Sequence, residues 1–369
     1  MVALVVILGS TGSIGKNALN LCEKFGVEVE ALSCAKNVDL LNEQILKFKP
    51  KFVCVGDEKL AKNVKNIEDK NIFFSEAGLL QMLEISSSKK IINALVGFAG
   101  LAPSLKTQTL GKRLALANKE SLVVGGKFLK TREILPIDSE HFGLKFLLEN
   151  KTAPKKLIIT ASGGAFYKKP IKFLKDASPS DALKHPNWDM GAKITIDSAT
   201  MTNKLFEVME AYWLYGIKEI EAVIESTSAI HAVVEFIDGS STMHLSRPDM
   251  KLAIAHAMFE NINENIVSHA NVLDLKNIKF HKISLKKYPI FSLKDEVLAN
   301  PDLGVVINAA NEVGVFSFLE KKCSFLDISR LVLSSVKNFR NIKISNIDEI
   351  FEADKEVRNY AKRMLNAKV

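Results

Sequence analysis

Residues 2–8 form an unbroken apolar run that stops at Gly9, and a helical pattern of apolar and polar positions follows from Ser13 to Phe25. A short apolar run without alternation predicts a strand covered on both faces, as in a parallel sheet. A second strand at residues 27–33 completes a strand, helix, strand unit of the doubly wound kind. Further strands are expected at 52–55, 91–94 and 113–117, alternating with helical stretches, so residues 1–137 read as a Rossmann-type α/β domain.

From residue 138 the pattern changes to shorter motifs separated by loops. A strand is expected at 157–161, an amphipathic helix at 200–215, and a hairpin from 233–237 through the turn Asp238-Gly239 to 242–245. Residues 138–259 therefore read as a central α+β domain. Residues 260–300 hold few long periodic runs and suit a linker, and 301–369 are helical in pattern. No internal repeat is visible.

Composition narrows the class. A chain of 369 residues exceeds the usual single core, which favours several domains and leaves room for a cleft. Its 47% hydrophobic and 25% charged residues sit near the globular average, so neither disorder nor a fibre is indicated. The opening apolar run has no basic segment before it and no cleavage site after it. No apolar run approaches the length of a membrane span. A soluble, cytoplasmic protein without membrane contact is expected. Four cysteines (Cys22, Cys34, Cys54, Cys323) lack any Cys-x-x-Cys pairing and suit buried thiols in a reducing compartment. The net charge of +8 is spread along the chain instead of massed in basic stripes with aromatics, which speaks against nucleic acid, and attraction of small phosphorylated ligands explains the surplus equally well.

Gly9-Ser-Thr-Gly12-Ser-Ile-Gly15 lies between the first strand and the first helix. Glycines there allow a tight turn and close backbone approach, and a helix N-terminus offers N–H groups to a pyrophosphate. The spacing differs from the stricter Gly-x-Gly-x-x-Gly. An NAD site is expected to carry an acid at the end of the second strand. This chain has Lys36 and Asn37 there, with Glu28 and Glu30 inside the strand, which favours the 2′-phosphate of NADP.

Asp138-Ser139-Glu140-His141 puts two carboxylates two residues apart, on one side if the backbone is extended. Asn203 and Glu207 share a helix face with Lys204, opposite Leu205, Val208, Met209 and Tyr212, so this polar set is expected to look towards a cleft or solvent. Carboxylate oxygens with water suit Mg²⁺ or Mn²⁺; zinc prefers His and Cys. Ser162-Gly163-Gly164 follows a strand as an anion-binding turn does, and with Ser198, Asn203 and Lys204 it offers a phosphate pocket. His185-Pro-Asn-Trp188-Asp-Met190-Gly191 reads equally as a packed tryptophan or as a mobile lid.

Taken together the motifs resemble the 1-deoxy-D-xylulose 5-phosphate reductoisomerase family. The likeness runs through Gly-Ser-Thr-Gly-Ser-Ile-Gly at 9–15, Ala-Asn-Lys-Glu-Ser at 117–121, Asp-Ser-Glu-His at 138–141 and His-Pro-Asn-Trp at 185–188. It continues through Asp-Ser-Ala-Thr-Met at 197–201, Asn-Lys at 203–204, Pro-Asp-Met at 248–250 and Asn-Ala-Ala-Asn-Glu at 308–312. The resemblance implies an enzyme that uses NADPH and a divalent cation, Mg²⁺ or Mn²⁺, to rearrange and reduce a sugar phosphate to 2-C-methyl-D-erythritol 4-phosphate, an early step towards isoprenoid precursors. By position it makes Asp138, Glu140 and Glu207 metal ligands, and Lys119, Glu140 and His185 catalytic. Substrate contacts fall to Lys119, Ser139, Ser162, His185, Ser198, Asn203, Lys204 and Glu207. Cofactor contacts fall to Thr11, Gly12, Ser13, Ile14, Lys36, Asn37, Asn118, Glu120 and Gly191, and the lid carries Trp188 and Met190. A homodimer is implied, each chain with a Rossmann-type domain, a central catalytic α+β domain and a C-terminal helical bundle.

The chain departs from the family pattern in two places. Glu225-Ser-Thr-Ser228 stands where His-Pro-Gln-Ser is usual, and Ala35 stands where a glycine usually precedes Lys36. Rival readings each leave something unused. A metal-dependent phosphosugar aldolase or isomerase has no need of the glycine turn, and a NADP-sensing regulator has no need of the carboxylates.

Overall fold

The apolar runs of the first third of the chain become the strands of one parallel sheet in the computed structural model, which describes residues 4–149, 152–271, 273, 275 and 278–367. Residues 2 and 3 of the expected first strand lie outside the described residues. The strands are β1 (Leu4–Leu8), β2 (Glu28–Ser33), β3 (Phe52–Val55), β4 (Ile72–Phe74), β5 (Lys90–Asn93), β6 (Arg113–Leu116) and β7 (Leu135–Pro136). Their order is β4-β3-β2-β1-β5-β6-β7, and all neighbours are parallel. Val5, Val6, Ile7 and Leu8 are all buried, as expected of a strand covered on both faces. The order reverses at β1, between β2 and β5, which is where doubly wound sheets take ligands.

Helix Ser13–Phe25 buries Ala18, Leu19, Leu21 and Cys22 and ends at Gly26, whose left-handed φ of 64° lets its N–H bond the Cys22 carbonyl. Against it packs a helix from much later in the chain, Met250–Met258. Ile254, Ala255, Ala257 and Met258 join Leu19, Cys22 and Ile7 in one apolar core. The first compact unit is thus Met1–Ser121, Leu129–Phe142 and Asp249–Val267, which differs from the linear boundaries the sequence pattern suggests. The apolar face of Met250–Met258 is completed by residues more than two hundred positions earlier, and no local signal reports that. Burial pushes the thiols of Cys22 and Cys34, both in this core, up to about 12 and about 11.

The second unit comprises Leu122–Phe128, Gly143–Pro248 and Ser268–Val369. Its mixed sheet has β8 (Pro154–Ala161), β9 (Ile220–Glu225), β10 (Ile230–Phe236), β11 (Ser241–Leu245) and β12 (Phe280–Lys282), in the order β11-β10-β8-β9-β12. Only β8 and β9 are parallel. The expected hairpin is present as β10 and β11, joined through Asp238 and Gly239. The helix expected at 200–215 starts at Thr202, because Met201 adopts φ 69° and ends a preceding helix, Ala192–Thr200. The C-terminal helices Leu303–Leu319, Phe325–Asn338 and Ile347–Asn366 match the helical pattern after 301. The stretch that suits a linker is partly structured: it supplies β12 and helix Lys294–Ala299, and Tyr288, Ile290, Phe291, Leu293 and Val297 are buried. Among the described residues no helix is long and apolar enough to cross a membrane.

Candidate active site

In the first unit the glycine turn follows from sterics. Gly9 has φ 79°, and a Cβ there would lie 2.6 Å from the Ala94 carbonyl oxygen; a Cβ on Gly15 would lie 2.4 Å from the Gly9 oxygen. Neither position admits a side chain. The turn is pinned to the end of β2: Gly9 N–H donates to Ser33 Oγ (3.0 Å) and Ser10 N–H to the Ser33 carbonyl (2.8 Å). Gly12 and Ser13 are exposed, Thr11 and Ile14 half-buried, and no side chain caps the helix that starts at Ser13. An uncapped, exposed helix N-terminus is an anion site.

Just beyond β2, Lys36 and Asn37 are exposed, and the Asn37 side chain accepts from Leu40 N–H, capping the helix Val38–Phe48. The acid inside the strand, Glu30, is buried and accepts from Ser87 N–H, Ser87 Oγ and Ser88 N–H (2.7–2.8 Å), so its carboxylate is committed to its own fold. Asn118 is also buried: its amide donates to the carbonyls of Leu95 and Gly97 and its oxygen accepts from Ser121 N–H. That side chain holds the loop together, and Glu120 lies against it at 3.2 Å.

The carboxylates at 138–140 are not on an extended segment. Asp138 precedes helix Ser139–Leu148, its side chain accepting from Glu140 N–H (3.1 Å) and its carbonyl from Phe142 N–H (2.8 Å). An aspartate ahead of a helical turn satisfies donors that an extended strand would leave open. Asp138 and Glu140 thus project from a helix start, with Ser139 Oγ donating to Glu140. Lys119 Nζ sits 2.5 Å from Asp138 Oδ2, with side-chain exposures of 5% and 11%. Water screens such a pair weakly.

In the second unit β8 runs into Ser162, and Gly163 and Gly164 turn the chain with φ 88° and 68°. Ser162 Oγ accepts from Gly164 N–H (3.1 Å) and lies 2.8 Å from His185 Nε2. His185 Nδ1 accepts from both Asn187 N–H (3.2 Å) and Trp188 N–H (3.0 Å), which assigns the ring proton to Nε2. Nε2–H then donates to Ser162, and the Ser162 hydroxyl hydrogen is left to point elsewhere. Burial pulls the His185 pKa down to about 4, so the ring is neutral at pH 7. His185 in this arrangement orients Ser162 with one nitrogen and its own loop with the other.

Asn203, Lys204 and Glu207 do share a helix face, but that face is largely closed. Lys204 and Glu207 are 3% and 1% exposed and ion-paired, and Asn203 donates to the other Glu207 oxygen. Only Asn203 keeps partial exposure. On the preceding helix, Ala192–Thr200, Lys193 pairs with Asp197 (2.9 Å) and Asn311 donates to Asp197 (2.7 Å). Ser198 is half-buried on this helix, and Gly191, exposed, precedes its first residue. Residues 184–191 form a loop in which Trp188 and Met190 are half-buried, and the Trp188 ring meets His231 edge-on at 6.2 Å.

Sequence reasoning did not find the Asp197–Asn311 tie, the tether of Asn187, or the part played by Glu225. Asn187 donates from its amide to the Ser226 carbonyl and to Ser228 Oγ. The one available signal was a run of charged and hydroxyl residues inside otherwise apolar stretches, which marks buried polar groups without saying what they meet.

Carboxylate oxygens such as those of Asp138, Glu140 and Glu207 are hard donors, which suit Mg²⁺ or Mn²⁺ better than zinc.

Comparison with known proteins agrees with this chemistry. Residues 5–126 match the family model described as 1-deoxy-D-xylulose 5-phosphate reductoisomerase, and residues 134–215 and 245–360 match two C-terminal domain models of the same enzyme. The chain is 70% identical to 1-deoxy-D-xylulose 5-phosphate reductoisomerase of Campylobacter curvus over 365 residues, covering 99% of this chain and 100% of that one. The fold is similar to a crystal structure of DOX-P reductoisomerase in complex with NADPH, fosmidomycin and magnesium, with a TM-score of 0.91, 32% identity and coverage of 99% and 98%. It is likewise similar to the Zymomonas mobilis enzyme in complex with NADPH, with a TM-score of 0.88, 30% identity and 99% coverage of both chains. With a Rossmann-type sheet, a mixed-sheet unit and C-terminal helices all matched, the chain belongs to the 1-deoxy-D-xylulose 5-phosphate reductoisomerase family.

Proposed function

We propose that this chain converts 1-deoxy-D-xylulose 5-phosphate and NADPH to 2-C-methyl-D-erythritol 4-phosphate with a divalent cation. The observation that carries this reading is family membership over nearly the whole chain. The chemistry of both units supports it.

The glycine turn at Thr11, Gly12, Ser13 and Ile14 would take the pyrophosphate of NADPH on main-chain N–H groups. Lys36, exposed and with no free acid at the end of β2, would meet the 2′-phosphate, beside Asn37. Asn118, whose side chain is committed internally, would offer the cofactor only main chain; Glu120 and Gly191 are further cofactor contacts in this reading. The substrate phosphate would be held by Ser162, Ser198, Asn203 and Lys204. Here the Ser162 hydroxyl would donate, because both of the hydrogen bonds its oxygen makes are accepted ones.

Asp138, Glu140 and Glu207 would hold Mg²⁺ or Mn²⁺. Once bound, such a cation supplies Lewis-acid polarisation of the substrate oxygens during rearrangement. Lys119, already beside Asp138, would donate to an adjacent substrate oxygen, and Ser139 would orient Glu140. His185 would keep the Ser162 hydroxyl aimed at the phosphate. Trp188 and Met190 would cover the reacting carbons and exclude water. A cytoplasmic homodimer is part of the same reading.

The test is oxidation of NADPH, followed by its near-ultraviolet absorbance, on mixing protein, Mg²⁺ and 1-deoxy-D-xylulose 5-phosphate. Absorbance should fall only when every component is present. A steady signal in the complete mixture sinks the proposal.

A further inference from the structure

Glu225 ends β9 inside the protein with 1% exposure, at the first of the positions that depart from the family pattern. Both of its oxygens are used. One accepts from Thr227 N–H (2.9 Å) and Thr227 Oγ (2.7 Å), the other from Ala229 N–H (2.9 Å) and Ile230 N–H (3.3 Å). A carboxylate receiving four donors from the next five residues fixes the shape of the connection at 226–229. That shape includes Ser228 at φ 56°, a left-handed conformation that is costly for a non-glycine residue and persists only when its surroundings impose it.

The location of this connection gives it a function. In the sheet order β10-β8-β9, the link from β9 to β10 must pass over the end of β8, the end from which Ser162 emerges. From the connection, the Ser226 carbonyl and Ser228 Oγ take both amide hydrogens of Asn187 (2.9 and 2.8 Å). Asn187 and Trp188 in turn give their N–H groups to His185, which holds Ser162. A continuous hydrogen-bonded path therefore runs from Glu225 through Asn187 and His185 to the Ser162 hydroxyl.

We infer that Glu225 is a positioning residue: its carboxylate moulds the 226–229 connection into the grip that holds Asn187, and thereby sets the placement of Trp188, His185 and Ser162. The inference rests on the proposed function for what Ser162 binds, but the grip itself does not depend on it.

The experiment uses the full chain in a Trp213→Phe background, so that Trp188 is the remaining tryptophan. Glu225→Gln keeps the shape and turns an amide N–H against two donors. Asn187→Ala cuts the tether and leaves the Glu225 hydrogen bonds intact. Each variant should red-shift ligand-free Trp188 emission and raise KM for the sugar phosphate about tenfold, with kcat changed less than about threefold and the Kd for NADPH unchanged. The double variant should be no worse than the worse single, as expected for two residues acting through one path. Additive effects overturn the inference. So does a Glu225→Gln protein that only melts earlier, with KM and emission as in the parent. If Glu225→Gln does not fold, Asn187→Ala alone decides: unchanged KM and emission there are equally fatal. A parent protein that does not turn over the pentulose phosphate refutes the proposed function, and the ligand-free emission shift still tests the grip.

Discussion

In the first unit the glycine turn is made of main chain: two glycines that admit no Cβ and a helix start without a side-chain cap. In the second, the corresponding chemistry is made of side chains buried against one another, with Lys204 on Glu207, Asp197 on Lys193 and Asn311, and Glu225 on the connection that follows it. The two constructions fail differently. A main-chain site is lost when an atom is added, because there is no room for it. A side-chain network is lost when a charge or a donor is taken away, because a buried partner is left uncompensated.

The largest effect should come from taking a charge out of the network. Glu207→Gln is expected to lower turnover by on the order of a thousandfold, the scale of removing a preorganised electrostatic group. It should also destabilise the fold, since buried Lys204 loses its counter-charge. The Kd for NADPH should stay near that of the parent, because the glycine turn is built without Glu207. Steady-state rates, Mn²⁺ titration with substrate present and cofactor titration together check this; normal turnover and normal metal binding would make Glu207 a structural residue only.

Adding an atom to the turn should do the converse. Gly15→Ala places a methyl group 2.4 Å from the Gly9 carbonyl oxygen, and overpacking of that kind costs roughly 1–3 kcal/mol. NADPH affinity and thermal stability should both fall, while ligand-free emission of Trp188 stays put. Lys36→Glu is a smaller disturbance of the same unit: losing an exposed charge-assisted contact should weaken NADPH about tenfold and leave NADH nearly unchanged. An equal loss for both cofactors removes Lys36 from the site. Replacing residues 225–227 together by His-Pro-Gln should leave kcat/KM within about tenfold, roughly 1.4 kcal/mol of barrier, because it exchanges one support for another without touching a reacting group. A larger gain would mean that this chain is specialised for another substrate.

A last effect, on stability and not on activity, should appear against pH. Burial lowers the His185 pKa to about 4 in the folded chain, from 6.5 in the unfolded one. Below 6.5 the unfolded chain takes up a proton that the folded one refuses, so folding should weaken as pH falls from about 6.5 to about 4 and no further on this account. His185→Asn should flatten that part of the thermal-melting profile, and an unchanged slope would show that His185 does not titrate as its burial requires.

How much of this was legible in the sequence follows from the same contrast. The glycine turn, the helix after it and strand Phe52–Val55 could be read because their causes are local: glycine spacing, a helical period, an apolar run. The contacts of the second unit could not. Asn187 finds its partners 39 and 41 positions on, and Asp197 finds Asn311 after 114. The resemblance supplied residue identities at these places but not their roles. It made His185 a substrate contact and catalytic, and did not indicate that its ring nitrogens also orient Ser162 and the 187–188 loop. It set Glu225 apart as a departure, with no indication that four donors converge on it. The helix start at Ser139 was missed for a simpler reason, since Asp138-Ser139-Glu140 is as good an opening for a helix as it is a pair of acids on a strand.

The return of helix Met250–Met258 to the first unit has a consequence for the order of assembly. During synthesis, residues 4–142 leave the ribosome with Leu19 and Cys22 facing an apolar partner that does not yet exist. At roughly 5–20 residues per second the missing helix follows after on the order of ten seconds. Through that interval the nascent sheet carries an open apolar flank, and it closes only after the strands β8 to β11 have themselves emerged. The two units therefore mature as interleaved pieces of one chain, and a fragment that stops at residue 248 inherits the unfinished flank permanently.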